Sequence, residues 1–296
     1  MQEQTGYIPV VNGYRVWYKI VGGGDAHEVV PLLILHGGPG CPHDYLENLA
    51  ALASEKRRVI FYDQLGCGNS DLPADTSLWT VERFTDEIDI VRQALSLEQV
   101  HILGQSCGGM LGIEYAIRQP AGLVSLILAD SMPSMVLWVE EANRLRAELP
   151  PGVNETLLRH ERTGTTDSPE YHEAVAVFNK RHVNRLEVTP EFVQRANART
   201  GFIYNYMNGP SEFHVTGVIK DWDRTDRLGD IKVPTLIISG KYDESTPRLN
   251  EILEEGIPNS DWVLFEHSSH LPHVEEETKF MQTVGAFLAC VERERD

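Results

Sequence analysis

The sequence predicts an α/β protein: a mostly parallel, eight-stranded sheet with helices on both faces and a helical cap inserted into it. Three observations carry that prediction. Six short apolar runs lack polar alternation, as strands buried on both faces of a parallel sheet do: "PLLIL", "RRVIFYD", "VHILGQS", "LVSLILADS", "PTLIISGKYD" and "DWVLFEHSSH". Helix-patterned stretches lie between them, the alternation that builds doubly wound sheets. Residues 133–222 then break that alternation with helical patterns alone.

Taken in order, the chain begins with a hairpin over 7–21, two strands around Asn12-Gly13, a dipeptide that accepts positive φ at both centres of a tight turn. "GGGD" (22–25) ends the pattern. The strand at 31–35 runs into "HGGPG" (36–40), and the one from 57 into "YDQLGCGNSD". A helix over 80–97 puts Val81, Phe84, Ile88, Val91 and Leu95 on one stripe. The run 100–104 passes through Ser106 into a helix at 107–119 that stops at Pro120. The strand at 123–131 precedes the insertion, whose helical stretches are 137–149, 169–183 and 190–207. Strands at 234–243 and 261–270 and a last amphipathic helix over 277–296 complete the chain. The core is therefore expected in 1–132 and 223–296, and the cap in 133–222, over the carboxyl ends of the strands where open α/β sheets bind ligands.

Composition narrows the function. A chain of 296 residues with 42% hydrophobic content can bury a sizeable core. The net charge of −18 argues against nucleic acid or an anionic membrane as partner and mildly favours a cationic ligand. No apolar run approaches the roughly 20 residues of a membrane span. Cys41, Cys67, Cys107 and Cys290 follow no paired or metal-binding spacing and read as free thiols. The first residues show no secretory pattern, so the cytoplasm is the expected compartment.

The chemistry centres on "GQSCGG". Gly-Gln-Ser-Cys-Gly between a predicted strand and a predicted helix fits G-x-S-x-G, where small flanking residues lift a serine nucleophile onto a sharp turn. The N–H of Cys107 then becomes one oxyanion donor, and its side chain a small packing residue. A serine hydroxyl needs a base, and the base an acid to orient it, in the chain order serine, acid, histidine. Asp243, just past a strand, is the expected acid, with Asp130 its competitor after the earlier strand. His270 is the expected base, with His267 assigned to the strand end and His273 just beyond. "HGGPG" sits where a second oxyanion donor belongs, Gly38 first and Gly37 as runner-up. "HLPHVEEE" (270–277) matches no usual metal-ligand spacing, and "GGGD" and "GCGNS" lack a phosphate-loop lysine, so turns are expected there.

These strings, with "MNGPSEF", "GVIKDWD" and "SSHLPHVEE", make nearly the whole chain resemble the proline iminopeptidases and related L-amino acid amidases of the α/β-hydrolase superfamily, the tricorn-interacting aminopeptidase type included. The resemblance implies the α/β-hydrolase fold and an aminopeptidase or amidase that cleaves the amide bond after a free amino-terminal residue, often proline. It implies small peptide or amino acid amide substrates and no metal or organic cofactor. It further implies that two glutamates hold the substrate's α-amine, at positions filled here by Glu212 and Glu244, assisted by a tyrosine matched by Tyr204; Gly37 joins these as a substrate-side residue. One departure is visible: the residue after the serine is usually aromatic in this family and here is Cys107, which implies extra room beside the nucleophile. A carboxylesterase or N-acyl amide hydrolase with the same triad is the rival enzyme, and a non-catalytic small-ligand receptor the rival from another class.

Overall fold

A computed structural model of the chain describes residues 1–23 and 29–295. Eight strands form one sheet in the order β1-β2-β4-β3-β5-β6-β7-β8. They are β1 (Glu3–Pro9), β2 (Arg15–Val21), β3 (Leu32–Leu35), β4 (Val59–Asp63), β5 (Val100–Gln105), β6 (Leu123–Ala129), β7 (Thr235–Gly240) and β8 (Ser260–Phe265). β1 pairs antiparallel with β2, and β2 with β4; the remaining pairs are parallel. The hairpin turns at Asn12 and Gly13, both with positive φ (51° and 83°), as their side chains allow. The second half of "GGGD" lies outside the described residues.

The unbroken apolar runs have the physical cause expected of them. Leu33, Leu35, Ile60, Tyr62, Ile102, Leu126, Leu128 and Ile237 point to one side of the sheet. There they meet α1 (Val81–Ala94), α2 (Cys107–Ile117) and, further along the chain, a helix at 247–256. Their neighbours Leu32, Ile34, Val59, Phe61, Leu103, Ile127, Leu236 and Ile238 point to the other side, against a 3₁₀ segment at His43–Leu52 and a long carboxy-terminal helix. Side chains alternate across a strand, so a strand covered on both faces is apolar at every position.

Between β6 and β7 the chain leaves the sheet for five helices: α3 (Met135–Ala147), α4 (Val153–Thr163), α5 (Pro169–His182), α6 (Glu191–Arg199) and α7 (Phe202–Met207). After β7 come α8 (Pro247–Gly256), the single turn α9 (Pro272–Glu275) and α10 (Glu277–Arg293). Three details differ from expectation. The stretch 190–207 is two helices, interrupted at Thr200 and Gly201, where the backbone turns extended (Thr200 ψ 131°). α4 and α8 are not among the predicted helices; α4 is bounded by left-handed Gly152 and Gly164 and buries only Leu157 and His160, too little to leave a sequence stripe. The last strand ends at Phe265, not 270, because residues 266–270 form a clamped turn described below. No helix among the described residues is long and apolar enough to cross a membrane.

Candidate active site

Ser106 leaves β5 and opens α2 with φ 56° and ψ −125°, a left-handed conformation that a side-chain-bearing residue adopts only when its surroundings impose it. The glycines around it explain how. A Cβ on Gly104 would lie 2.3 Å from the Gly108 carbonyl oxygen, and one on Gly108 would lie 2.1 Å from that of Leu35. Backbone meets backbone there, so neither position tolerates a side chain. Cys107 is the first residue of α2, so its N–H has no carbonyl a turn earlier in the helix and stays available. Its thiol is buried, pushed to a high pKa by burial, and donates to the Gly38 carbonyl (3.4 Å).

His270 lies at the end of the turn after β8. Its Nδ1 donates to Asp243 Oδ1 at 2.7 Å, and the Ser245 N–H donates to the same oxygen at 2.9 Å. Asp243 follows β7; Asp130, the competing acid, follows β6 and has no contact with the imidazole. Burial by itself would lower the His270 pKa, but the Asp243 carboxylate, with Glu212 and Glu275, outweighs it and holds the pKa above the ordinary value. The Trp138 ring meets His270 edge-on at 5.8 Å. The other two histidines are elsewhere: His267 is exposed at the strand end, its N–H on Glu276 (3.1 Å). His273 is buried, donates Nε2–H to the Tyr45 carbonyl (3.0 Å), and is lowered to about 4 by burial.

The acidic string after His270 is a clamp. Glu275 accepts from the Ser269 N–H and hydroxyl, and Glu276 from the Ser268 hydroxyl (2.7 Å), which pins the turn carrying His270. Two further positioning residues, Tyr45 and Gln105, were not singled out in the sequence. The Gly37 N–H donates to the Tyr45 hydroxyl (2.8 Å), which donates to Gln105 Oε1 (2.6 Å), whose Nε2 donates to the His270 carbonyl (3.0 Å). One chain of bonds thus ties the loop after β3, the residue before the serine and the histidine turn. It also commits the Gly37 N–H, the runner-up among the expected oxyanion donors. Gln105 had a signal, as the variable residue of G-x-S-x-G; Tyr45 had none.

Ser106, His270, Gly38, Tyr204, Glu212 and Glu244 share one cavity of about 480 Å³. Part of its wall comes from α5 (Val175, Asn179), from Val183 just past it and from α6 (Val193, Asn197), so the inserted helices share in lining it. The Tyr204 hydroxyl donates to Glu212 Oε1, and the Trp138 indole N–H to the Glu212 carbonyl (3.0 Å). Glu244 is 1% exposed, and its Oε1 lies 3.9 Å from His270 Nε2. Burial raises both carboxyls above their ordinary range; Glu212 and Asp243 push Glu244 up further, whereas the Tyr204 bond and His270 pull Glu212 back down.

A strained serine between strand and helix, a histidine–carboxylate pair in chain order behind it and a helical cover define an α/β hydrolase. A family model for the alpha/beta hydrolase fold matches residues 30–277. A proline iminopeptidase of Heyndrickxia coagulans is 42% identical over 288 residues, 97% of this chain and 99% of that one. The crystal structure of proline iminopeptidase from Mycobacterium smegmatis superposes with a TM-score of 0.91 at 42% identity, covering 99% of this chain and all of the other. VinJ superposes equally well (TM-score 0.91) at 39% identity, over 97% of this chain and 99% of its own. The chain belongs to the proline iminopeptidase family of α/β-hydrolase-fold enzymes.

Proposed function

We propose that the protein is a serine aminopeptidase that cleaves the amide bond after a free amino-terminal residue, proline among them, in short peptides or amino acid amides. His270 takes the Ser106 proton as the hydroxyl attacks the carbonyl carbon, and Asp243 holds the imidazole in the tautomer with its free nitrogen towards the serine. The N–H groups of Gly38 and Cys107 receive the developing oxyanion, worth about 3 to 4 kcal/mol per donor. His270 then returns the proton to the departing amine, and a water molecule, activated the same way, hydrolyses the acyl-enzyme.

The observation that carries the aminopeptidase reading is the pair Glu212 and Glu244 beside the base. The two carboxyls, both raised by burial and Glu244 further by Glu212, are satisfied together when a substrate ammonium sits between them. Tyr204 orients Glu212 for that contact. The chain's net charge of −18 draws a cationic substrate towards the cavity. The helices of 133–222 act as the cap that excludes water from it, and the free thiols fit a reducing, cytoplasmic setting.

The test is paired hydrolysis of free-amine and N-acetylated p-nitroanilides of proline, alanine and phenylalanine, with Ser106→Ala as the blank. Turnover confined to free-amine substrates and abolished in the blank is the expected result. Equal turnover of acetylated substrates or of a simple ester would make the protein a general amidase or esterase instead.

A further inference from the structure

Asp130 is wholly buried immediately after β6, and its N–H donates to the Ile238 carbonyl of β7 (2.7 Å), which sets it beside the residues that follow β7. Its own φ is +52°, so the backbone there is held in a conformation unusual for aspartate. After burial, the Asp243 carboxyl is the strongest influence on that of Asp130, which makes the two acids near neighbours past adjacent strand ends. Asp243 Oδ1 is doubly occupied, by His270 and Ser245, while Asp243 Oδ2 and both oxygens of Asp130 are buried with no donor in ordinary hydrogen-bond geometry. Three adjacent carboxyl oxygens without a donor are costly, and a single proton placed between the two residues satisfies two of them at once.

We propose that Asp130 is a protonated carboxylic acid that donates its hydrogen to Asp243 Oδ2, and that this bond is the positioning contact that holds Asp243 for His270. The inference rests on the triad assignment of the proposed function. Burial, and then the neighbouring Asp243 charge, push Asp130 well above the ordinary carboxylate range; the Gly240 N–H, the weakest influence, pulls the other way. With Oδ1 taken by the imidazole and Oδ2 by Asp130, the Asp243 carboxylate is gripped along its whole edge and cannot rotate away when the imidazolium forms. Donation to Oδ2 also spreads the charge that His270 feels and so restrains the rise in its basicity. The charged groups facing His270 are Asp243, Glu212, Glu244 and Glu275, with neutral His273 nearby; those facing Asp130 are Asp243 and Glu275.

The experiment compares the full-length parent with Asp130→Asn, which keeps a neutral donor, and Asp130→Leu, which removes it. The readouts are kcat and KM on a free-amine proline p-nitroanilide across pH, normalised by fluorophosphonate labelling of Ser106. Asp130→Asn is expected to stay within about threefold of the parent with its acid limb unmoved. Asp130→Leu is expected to lose at least tenfold in kcat at constant KM, with the acid limb shifted upward. An acid limb that falls by a unit or more in Asp130→Asn would show that Asp130 is an anion and overturn the proposal. Full activity in Asp130→Leu would remove the positioning role. If Asp130→Leu does not fold, infrared difference spectra of parent minus Asp130→Asn decide the protonation: a carboxylic acid C=O band at neutral pH supports the proposal, and its absence refutes it. A parent inactive on every free-amine substrate would instead sink the aminopeptidase reading, while the infrared result would still stand.

Discussion

Replacing Glu212 by Gln removes one charge from the proposed ammonium site and leaves most of its geometry. The amide oxygen still accepts the Tyr204 hydroxyl, and the backbone carbonyl still takes the Trp138 indole. The size of the effect follows from Coulomb's law. An ammonium and a carboxylate about 4 Å apart at an effective dielectric near 20 attract by about 4 kcal/mol. Breaking one buried pair costs about 3 to 5 kcal/mol when nothing replaces the lost charge. Here Glu244 remains to hold the cation, so the expected loss is about 2 to 3 kcal/mol, or roughly 30- to 150-fold in kcat/KM. Initial rates on free-amine proline and alanine p-nitroanilides measure it, with the N-acetyl counterparts, which carry no ammonium, as the control. A fall below about fivefold, or an equal fall on both series, refutes the argument that Glu212 reads the amine.

The acid limb of kcat/KM should lie above the ordinary histidine value, because His270, the proposed base, must be neutral to take a proton and its pKa is raised chiefly by Asp243 against the effect of burial; a limb at or below 6.5 contradicts this. By linkage the same shift stabilises the fold below the unfolded histidine pKa, and that contribution is lost as pH rises through the folded value, which urea midpoints across pH will register. Gly104→Ala drives a Cβ to 2.3 Å from the Gly108 carbonyl oxygen, where only backbone could yield, so it should cost about 3 kcal/mol and lower the melting temperature by roughly 5 to 10 °C, with loss of Ser106 labelling. The described cavity walls carry Glu212, Glu244 and His270 but no lysine or arginine, so a prolyl dipeptide amide should be cleaved at least tenfold faster than the dipeptide with its free carboxylate; equal rates would mean that a cation reaches the leaving group from outside the lining.

Much of this was legible before any coordinates. Each doubly buried strand announced itself because alternate side chains enter different halves of the core and both halves are apolar. The serine turn was legible because only glycine fits where Gly104 meets Gly108 and Gly108 meets Leu35, and such packing leaves a fixed string in the chain. Chain order offered His270 and either Asp243 or Asp130, each beyond a strand, as partners for the serine. Less visible were elements stabilised by few buried residues: α4, with Leu157 and His160 alone turned inward, and the break at Thr200–Gly201 inside an otherwise helical pattern.

The linear order of residues thus determined the sheet, the place of the insertion and the types of residue available for acyl transfer, since these depend on local periodicity and on which side chains fit a turn. Proximity is different in kind. That His270 meets Asp243 and not Asp130, that Gly37 gives its N–H to Tyr45, and that Glu212 from the insertion shares a cavity with Glu244 from the core were decided by the tertiary structure alone. Residues 27 and 32 positions apart share one site there, and no spacing along the chain encodes how far a loop turns before it meets another.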